Sequence, residues 1–251
     1  HSPNLQSMVK DGPHRSCFRA RSGRLLVTAD YAACELRIIA ELSGDPVFAE
    51  AFARGDDLHA RVASAVFGKP VSKTENPELR QRAKAVNFGL AYGMGAQGLA
   101  RNIDVQVDEA RRILDRYFKS FPRIRSFLER SAAEGLARGF ARTIAGRRLY
   151  LSPDTLETRG SAERIAKNMP IQGTNADITK IALARVHADL QAFPSAGLVN
   201  VVHDELVVEC DVNDATAVAE LVRAGMIAAG RQLLRTIPVE VDIAVGEIWG
   251  K

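Results

Sequence analysis

Three groups of residues in this sequence have side chains and spacings suited to chemistry. The first is acidic: Asp30, at the end of a β-rich apolar run, and Asp204-Glu205, set between two further β-rich runs. Carboxylates held at strand ends suit hard divalent cations, because Mg²⁺ prefers oxygen ligands and accepts few of them from the protein. Two such ions about 3.5–4 Å apart clamp the attacking and leaving oxygens of a phosphoryl transfer. The second group is Arg80, Lys84, Phe88 and Tyr92. Four-residue spacing shifts each by about 40° around a helix of ~3.6 residues per turn, so all four share one face. The two cations suit a triphosphate and the two rings suit a base or sugar. Gly89 and Gly93 beside the rings are expected to leave room for a flat ligand, at a cost in helix propensity. The third group, Arg164, Asn168 and Gln172, has the side chains that reach base edges and sugars in a nucleic-acid groove. Taken singly, each group has an ordinary alternative: solvated acids at turn tips, an amphipathic helix with two buried rings, a polar surface face.

The elements that must hold these residues are legible in outline. Leu25 to Ala29 reads as a strand leading into Asp30. A helix over Glu35–Leu42 stops at Ser43-Gly44, and Asp45-Pro46 starts another with a cap and a first-turn proline. Gly55 ends that helix; Asp57 caps the next, which runs to Gly68. The chain then reads as almost wholly helical to about residue 140, with Val107–Lys119 and Pro122–Arg138 as separate pieces. Thr143 to Leu151 reads as a short turn-linked strand pair. A long helix from Ser161 to about Gln191 is expected to kink at Pro170. Leu198–Val202 and Leu206–Glu209 form a hairpin with His203-Asp204-Glu205 at its tip, a helix spans about Asn213–Leu234, and Val239–Ile248 closes the chain as a strand. Strands at both ends with helices between predict an α+β fold, a sheet domain with a helical subdomain inserted.

The composition is that of a globular chain: 251 residues, 46% hydrophobic and 25% charged. These values exclude disordered and collagen-like classes, and no apolar run reaches the ~18 residues of a membrane span. Cys17, Cys34 and Cys210 have no CxxC spacing and are expected to be small core hydrophobes in a reducing compartment. The net charge of +4 permits a phosphate-rich partner without requiring one.

Together the segments resemble the three motifs of family A DNA polymerases, the bacterial DNA polymerase I type. Asp30-Tyr31-Ala32-Ala33-Cys34-Glu35-Leu36-Arg37 is similar to the first, Arg80 through Met94 to the second, and Val202-His203-Asp204-Glu205 to the third. Asn168-Met169-Pro170-Ile171-Gln172-Gly173-Thr174 and Pro3-Asn4-Leu5-Gln6 also match, and the order is the family's. The resemblance implies a palm (residues 1–50 and 156–251), an antiparallel sheet with helices, and an inserted, mostly helical fingers subdomain (51–155). It implies template-directed addition of deoxynucleoside triphosphates to a primer 3′-OH, in replication or repair, with two Mg²⁺ ions or Mn²⁺ in their place. On the matching positions Asp30, Asp204 and Glu205 would be catalytic, with Asp30, Tyr31 and Asp204 at the metals and Glu205 supporting them. Arg80, Lys84, Phe88, Tyr92, Glu35 and His203 would bind the nucleotide, Glu35 by filling the space of a ribose 2′-OH. Arg164, Asn168, Gln172, His203 and Tyr92 would contact template–primer DNA. A cytoplasmic, nucleoid-associated bacterial or phage protein with no membrane partner follows.

The sequence departs from the family pattern in places. It starts about where the thumb would end and carries no exonuclease domain, so a missing N-terminal portion, or a partner supplying it, is expected. Ala32-Ala33-Cys34 replaces the usual Ser-Gln-Ile, which bears on sugar selection and not on the metals. Two other readings compete: a DNA-binding remnant with little or no activity by itself, and a metal-dependent nuclease, for which the basic helix would have no purpose.

Overall fold

The structure, a computed structural model, describes residues 13–91, 93–151 and 158–250. Its described residues divide into two compact units, one drawn from 1–34, 176–233 and 239–251, the other from 35–175 and 234–238.

The first unit is built on an antiparallel sheet. Arg24–Tyr31 (β1) is mostly buried, which is why it reads as a near-continuous apolar run. It pairs on one side with Glu205–Asp211 (β5) and on the other with Val241–Gly246 (β6); Gly197–Val202 (β4) completes the order β4-β5-β1-β6. The strand from near the start of the chain therefore lies between strands from its end, as the distribution of strand-like runs implied. The closing strand is shorter than the expected Val239–Ile248. Residues opposite one another share a face. Val27, Ala29 and Tyr31 lie with Val208 and Leu206 on the face covered by the helix Ala215–Leu233 (α10); the Tyr31 hydroxyl donates to the Met226 carbonyl at 2.7 Å. Leu26, Thr28 and Asp30 lie with Glu209, Val207 and Glu205 on the other face, where Trp249 packs against Leu26, Val202 and Val207. A 3₁₀ turn at Pro13–Cys17 brings Arg15 over the Trp249 ring, 4.0 Å from its centroid.

The second unit is mainly helical: Cys34–Ser43 (α1), Pro46–Arg54 (α2), Leu58–Phe67 (α3), Pro77–Ala91 (α4), Ala96–Asn102 (α5), Val107–Ser120 (α6), Pro122–Arg138 (α7) and Arg159–Asn168 (α8). Its punctuation is local. Asp45 Oδ1 caps α2 through the Val47 and Phe48 amides at 3.1 and 3.3 Å, and Gly55 ends it at φ 70°. Asp57 caps α3 through the Ala60 amide, and Gly68 ends it at φ 67°. Phe48, Tyr117 and Phe121 form a buried ring cluster, with centroids 5.4 and 4.8 Å apart.

The strand pair is Phe140–Arg142 (β2) with Arg148–Tyr150 (β3), and Thr143–Arg147 is its turn, not its first strand. At Pro170 the chain forms a π-helical turn, Met169–Gly173, between α8 and the helix Thr174–Asp189 (α9). The interruption expected at Pro170 therefore takes the form of a π turn, where the regular helical hydrogen-bond ladder is broken. Cys34 and Cys210 are buried, but Cys17 is exposed and is no core residue. Pro3-Asn4-Leu5-Gln6 and Tyr92 lie outside the described residues.

Candidate active site

In the first unit the acidic residues converge through strand register. Asp30, the penultimate residue of β1, sits directly across from Glu205, the first residue of β5. His203-Asp204 is a two-residue turn between β4 and β5, since Val202 pairs with Glu205. His203 takes φ 55°, a left-handed conformation that a tight hairpin demands and a non-glycine residue seldom adopts. Asp204 thus lies beside the end of β1, and its charge contributes to raising the Tyr31 hydroxyl above the ordinary tyrosine range. Burial is the main cause of that shift, and Cys34 adds to it.

Glu205 is only 3% exposed, and a carboxylate so placed requires compensation. Arg15 Nη1 donates to both of its oxygens at 3.2 and 3.1 Å, and Trp249 Nε1 donates to Oε1 at 2.5 Å. The adjacent half-buried Asp30 would otherwise meet an uncompensated like charge directly across the ladder. Among the described residues no cluster of three or more His, Cys, Asp or Glu side chains forms a protein-only metal cage.

In the second unit, α3 and α4 gather the cationic group. Arg80 Nε meets Asp57 Oδ2 at 2.7 Å, while the other oxygen of Asp57 caps α3. Burial works to raise the Asp57 carboxyl, but the hydrogen bonds from Arg80 and the Ala60 amide, with the Arg80 charge, outweigh it and hold the group below the ordinary range. Lys84 is exposed, its Nζ 6.0 Å from the Phe88 ring centroid.

His59, which the sequence reading missed, lies in this cluster. Its ring is 5.8 Å from that of Phe88, and Asn87 Nδ2 is 3.0 Å from its Nδ1. The available signal was its place two residues after the capping Asp57 at a helix N-terminus. Burial pushes His59 down to about 4; Asp57 opposes that, and the charges of Arg80 and Lys84 reinforce it.

A histidine neutral when folded and protonated when unfolded costs stability as pH falls. The loss develops between the unfolded value near 6.5 and the folded value, and the part that falls between pH 7 and pH 5 amounts to on the order of 2 kcal/mol. Thermal melts from pH 7 to pH 5 should show that decline, and His59→Gln should flatten it. A slope unaffected by the substitution would assign the decline to other groups.

The glycines in the helical stripe do not leave the open space expected of them. A Cβ on Gly89 would lie 3.2 Å from Met94 Sδ. One on Gly93, at φ 64° just beyond α4, would lie 2.7 Å from Asn168 Oδ1 and 2.9 Å from Arg164 Cγ. Protein atoms take that room, and the close approach brings Arg164 and Asn168 of α8 to the C-terminal end of α4. Gln172, in the π turn, is half-buried, and Glu35 sits in the first turn of α1. No helix among the described residues is long and apolar enough to cross a membrane.

A sequence profile of DNA polymerase family A matches residues 1–251. The chain is 40% identical to the thermostable DNA polymerase I of Thermus aquaticus, over 98% of its own length and 30% of the relative's. It is 38% identical to DNA polymerase I of Aquifex aeolicus, over 99% of its length and 43% of the relative's. It therefore spans less than half of the relatives it matches. Among solved structures, the POL domain of Pol1 from M. smegmatis, in complex with DNA primer-template and dNTP, is similar at a TM-score of 0.89. Sequence identity there is 36%, covering 98% of this chain and 44% of that one. With the family match running from the first residue to the last, this chain belongs to DNA polymerase family A.

Proposed function

We propose that this chain is the nucleotidyl-transfer core of a DNA-directed DNA polymerase, with palm residues 1–50 and 156–251 and fingers residues 51–155. Its substrates are template–primer DNA and deoxynucleoside triphosphates. The observation that carries this reading is the β1–β5 register, which sets Asp30 opposite the residue that follows Asp204, in a chain of this family.

Phosphoryl transfer asks the protein for positioning and charge stabilisation more than for covalent chemistry. The donor set fits Mg²⁺, with Mn²⁺ as a substitute: two carboxylates from neighbouring backbone segments offer hard oxygens and leave coordination positions for water and phosphate. The Tyr31 hydroxyl is committed to α10, so its main-chain carbonyl is the atom left for a metal role. When bound, the two ions supply Lewis acidity to the attacking and leaving oxygens. Asp30 and Asp204 hold them; Glu205, neutralised by Arg15, fixes the hairpin tip that carries Asp204 and does not ligate. Arg80 and Lys84 grip the triphosphate, Phe88 packs on the sugar and base, and Tyr92 sits by the templating base. His203, Arg164, Asn168 and Gln172 contact DNA, with His203 also beside the nucleotide.

Extension of a labelled primer on a template with Mg²⁺ and the four deoxynucleotides tests the reading, in this chain and in any longer product of its gene. Binding of DNA without extension in both would favour an inactive DNA-binding remnant. Glu35 occupies the space of a 2′-hydroxyl, so Glu35→Ala should raise ribonucleotide incorporation about tenfold or more, read by alkaline cleavage of the product. An unchanged sugar preference would remove Glu35 from that role.

A further inference from the structure

A π turn is rare and less regular than the α-helix on either side of it, so contacts from outside the rod are needed to hold one. Met169–Gly173 is such a turn, and the loop between β2 and β3 is seated on it. The Ile144 amide donates to Thr174 Oγ1 at 3.0 Å, and Arg147 Nη2 donates to the Gly173 carbonyl at 2.8 Å. The loop is also closed on itself. The Thr143 amide donates to the Arg147 carbonyl at 3.0 Å, and the Arg147 amide donates to Thr143 Oγ1 at 3.1 Å. Thr143 and Thr174 are both buried. The packing is equally close: a Cβ on Gly173 would lie 2.6 Å from Thr143 Cγ2 and 2.9 Å from Met169 Sδ.

A π turn bonds residue i to i+5 and winds more slowly than an α-helix, so side chains on it point elsewhere than a continuous helix would send them. Gln172 lies inside the turn, and Asn168 directly precedes it. The direction of Gln172 relative to Asn168 and Arg164 is therefore set by the turn and not by four-residue spacing. That direction does not serve the chain's own hydrogen bonding. Gln172 Nε2 is buried and has no acceptor among the described residues, a state that costs stability.

We propose that Thr143 and Thr174 are positioning residues: the β2–β3 loop they fasten keeps the π turn wound, and so holds the Gln172 amide toward the template–primer duplex. The inference rests on the polymerase reading for its ligand, but the clamp is a property of the DNA-free chain.

The test joins amide hydrogen exchange of the DNA-free chain to a double-mutant cycle read by fluorescence anisotropy on a labelled template–primer. Thr174→Val removes the acceptor and keeps the shape, so the Ile144 amide should exchange faster than in the parent. Template–primer affinity should fall about fivefold to tenfold. In a Gln172→Ala background the same substitution should change affinity by less than about twofold, while thermal stability falls equally in both backgrounds. Thr174→Ser keeps the hydroxyl and should restore parental affinity. An equal loss of affinity with and without the Gln172 side chain overturns the proposal, as does unchanged exchange of Ile144 in Thr174→Val. Sterics test Thr143. Gly173→Ala should weaken binding by driving a methyl against Thr143 Cγ2, and adding Thr143→Ser, which deletes that methyl and keeps the hydroxyl, should recover most of the loss. Parental binding by Gly173→Ala, or no recovery in the double variant, overturns the role of Thr143. Should Thr174→Val fail to fold, this second pair decides the matter. A parent with a protected Ile144 amide and no affinity for template–primer would overturn the polymerase reading and the positioning role together, while leaving the clamp intact.

Discussion

Replacing Asp204 with asparagine is expected to lower primer extension about a thousandfold, equivalent to about 4 kcal/mol of barrier. The substitution removes one negative charge from the hairpin turn and changes little else. Asp204 is half-buried and Asn is well tolerated in tight turns, so the β4–β5 register should persist. Single-turnover extension under excess dNTP measures the chemical step, and far-UV circular dichroism with DNA-binding titrations checks that fold and grip survive. Extension at the parental rate would remove Asp204 from the chemistry. The same measurement on Asp30→Asn should give a loss of similar size, since neither carboxylate replaces the other.

The second large effect is on stability. Arg15→Ala should destabilise the first unit by about 3–5 kcal/mol, because it leaves the Glu205 carboxylate buried without its cation. Two hydrogen bonds and the stacking of the guanidinium on Trp249 go with it. Urea denaturation followed by far-UV circular dichroism should show the midpoint shift. The double variant Arg15→Met/Glu205→Leu should recover most of the loss, since apolar residues of similar volume often equal a buried ion pair. A single variant as stable as the parent would remove the Arg15–Glu205 pair from the stability of this unit.

Much of the architecture was legible because its signals are local. Asp45 with Gly55, and Asp57 with Gly68, bracket helices whose caps need only neighbouring atoms. The sheet built from both chain ends was legible because β1, β4 and β5 each carry a β-rich run bounded by turn residues. The features that escaped depend on partners distant in sequence. Nothing near His59 announces Asn87, and nothing near Arg80 announces Asp57. Gly89 and Gly93 looked like room for a ligand because sequence cannot say that Met94, Asn168 and Arg164 already fill the space. Phe140–Arg142 begins directly after the helix-ending Gly139 and is too short to show alternation, so its boundary was displaced. The acidic pair was visible as two residue types, but its meeting rests on a register that only the fold supplies.

Trp249 is the chain's one tryptophan, and its indole touches both the buried carboxylate next to Asp204 and the guanidinium that neutralises it. The molecule thus carries a single indole, which can be excited apart from the tyrosines, wired by hydrogen bond to its acidic tip. Occupancy, rearrangement or loss of charge at that tip changes the field across the indole and so its emission, and the innermost part of the site can be followed in real time without a label.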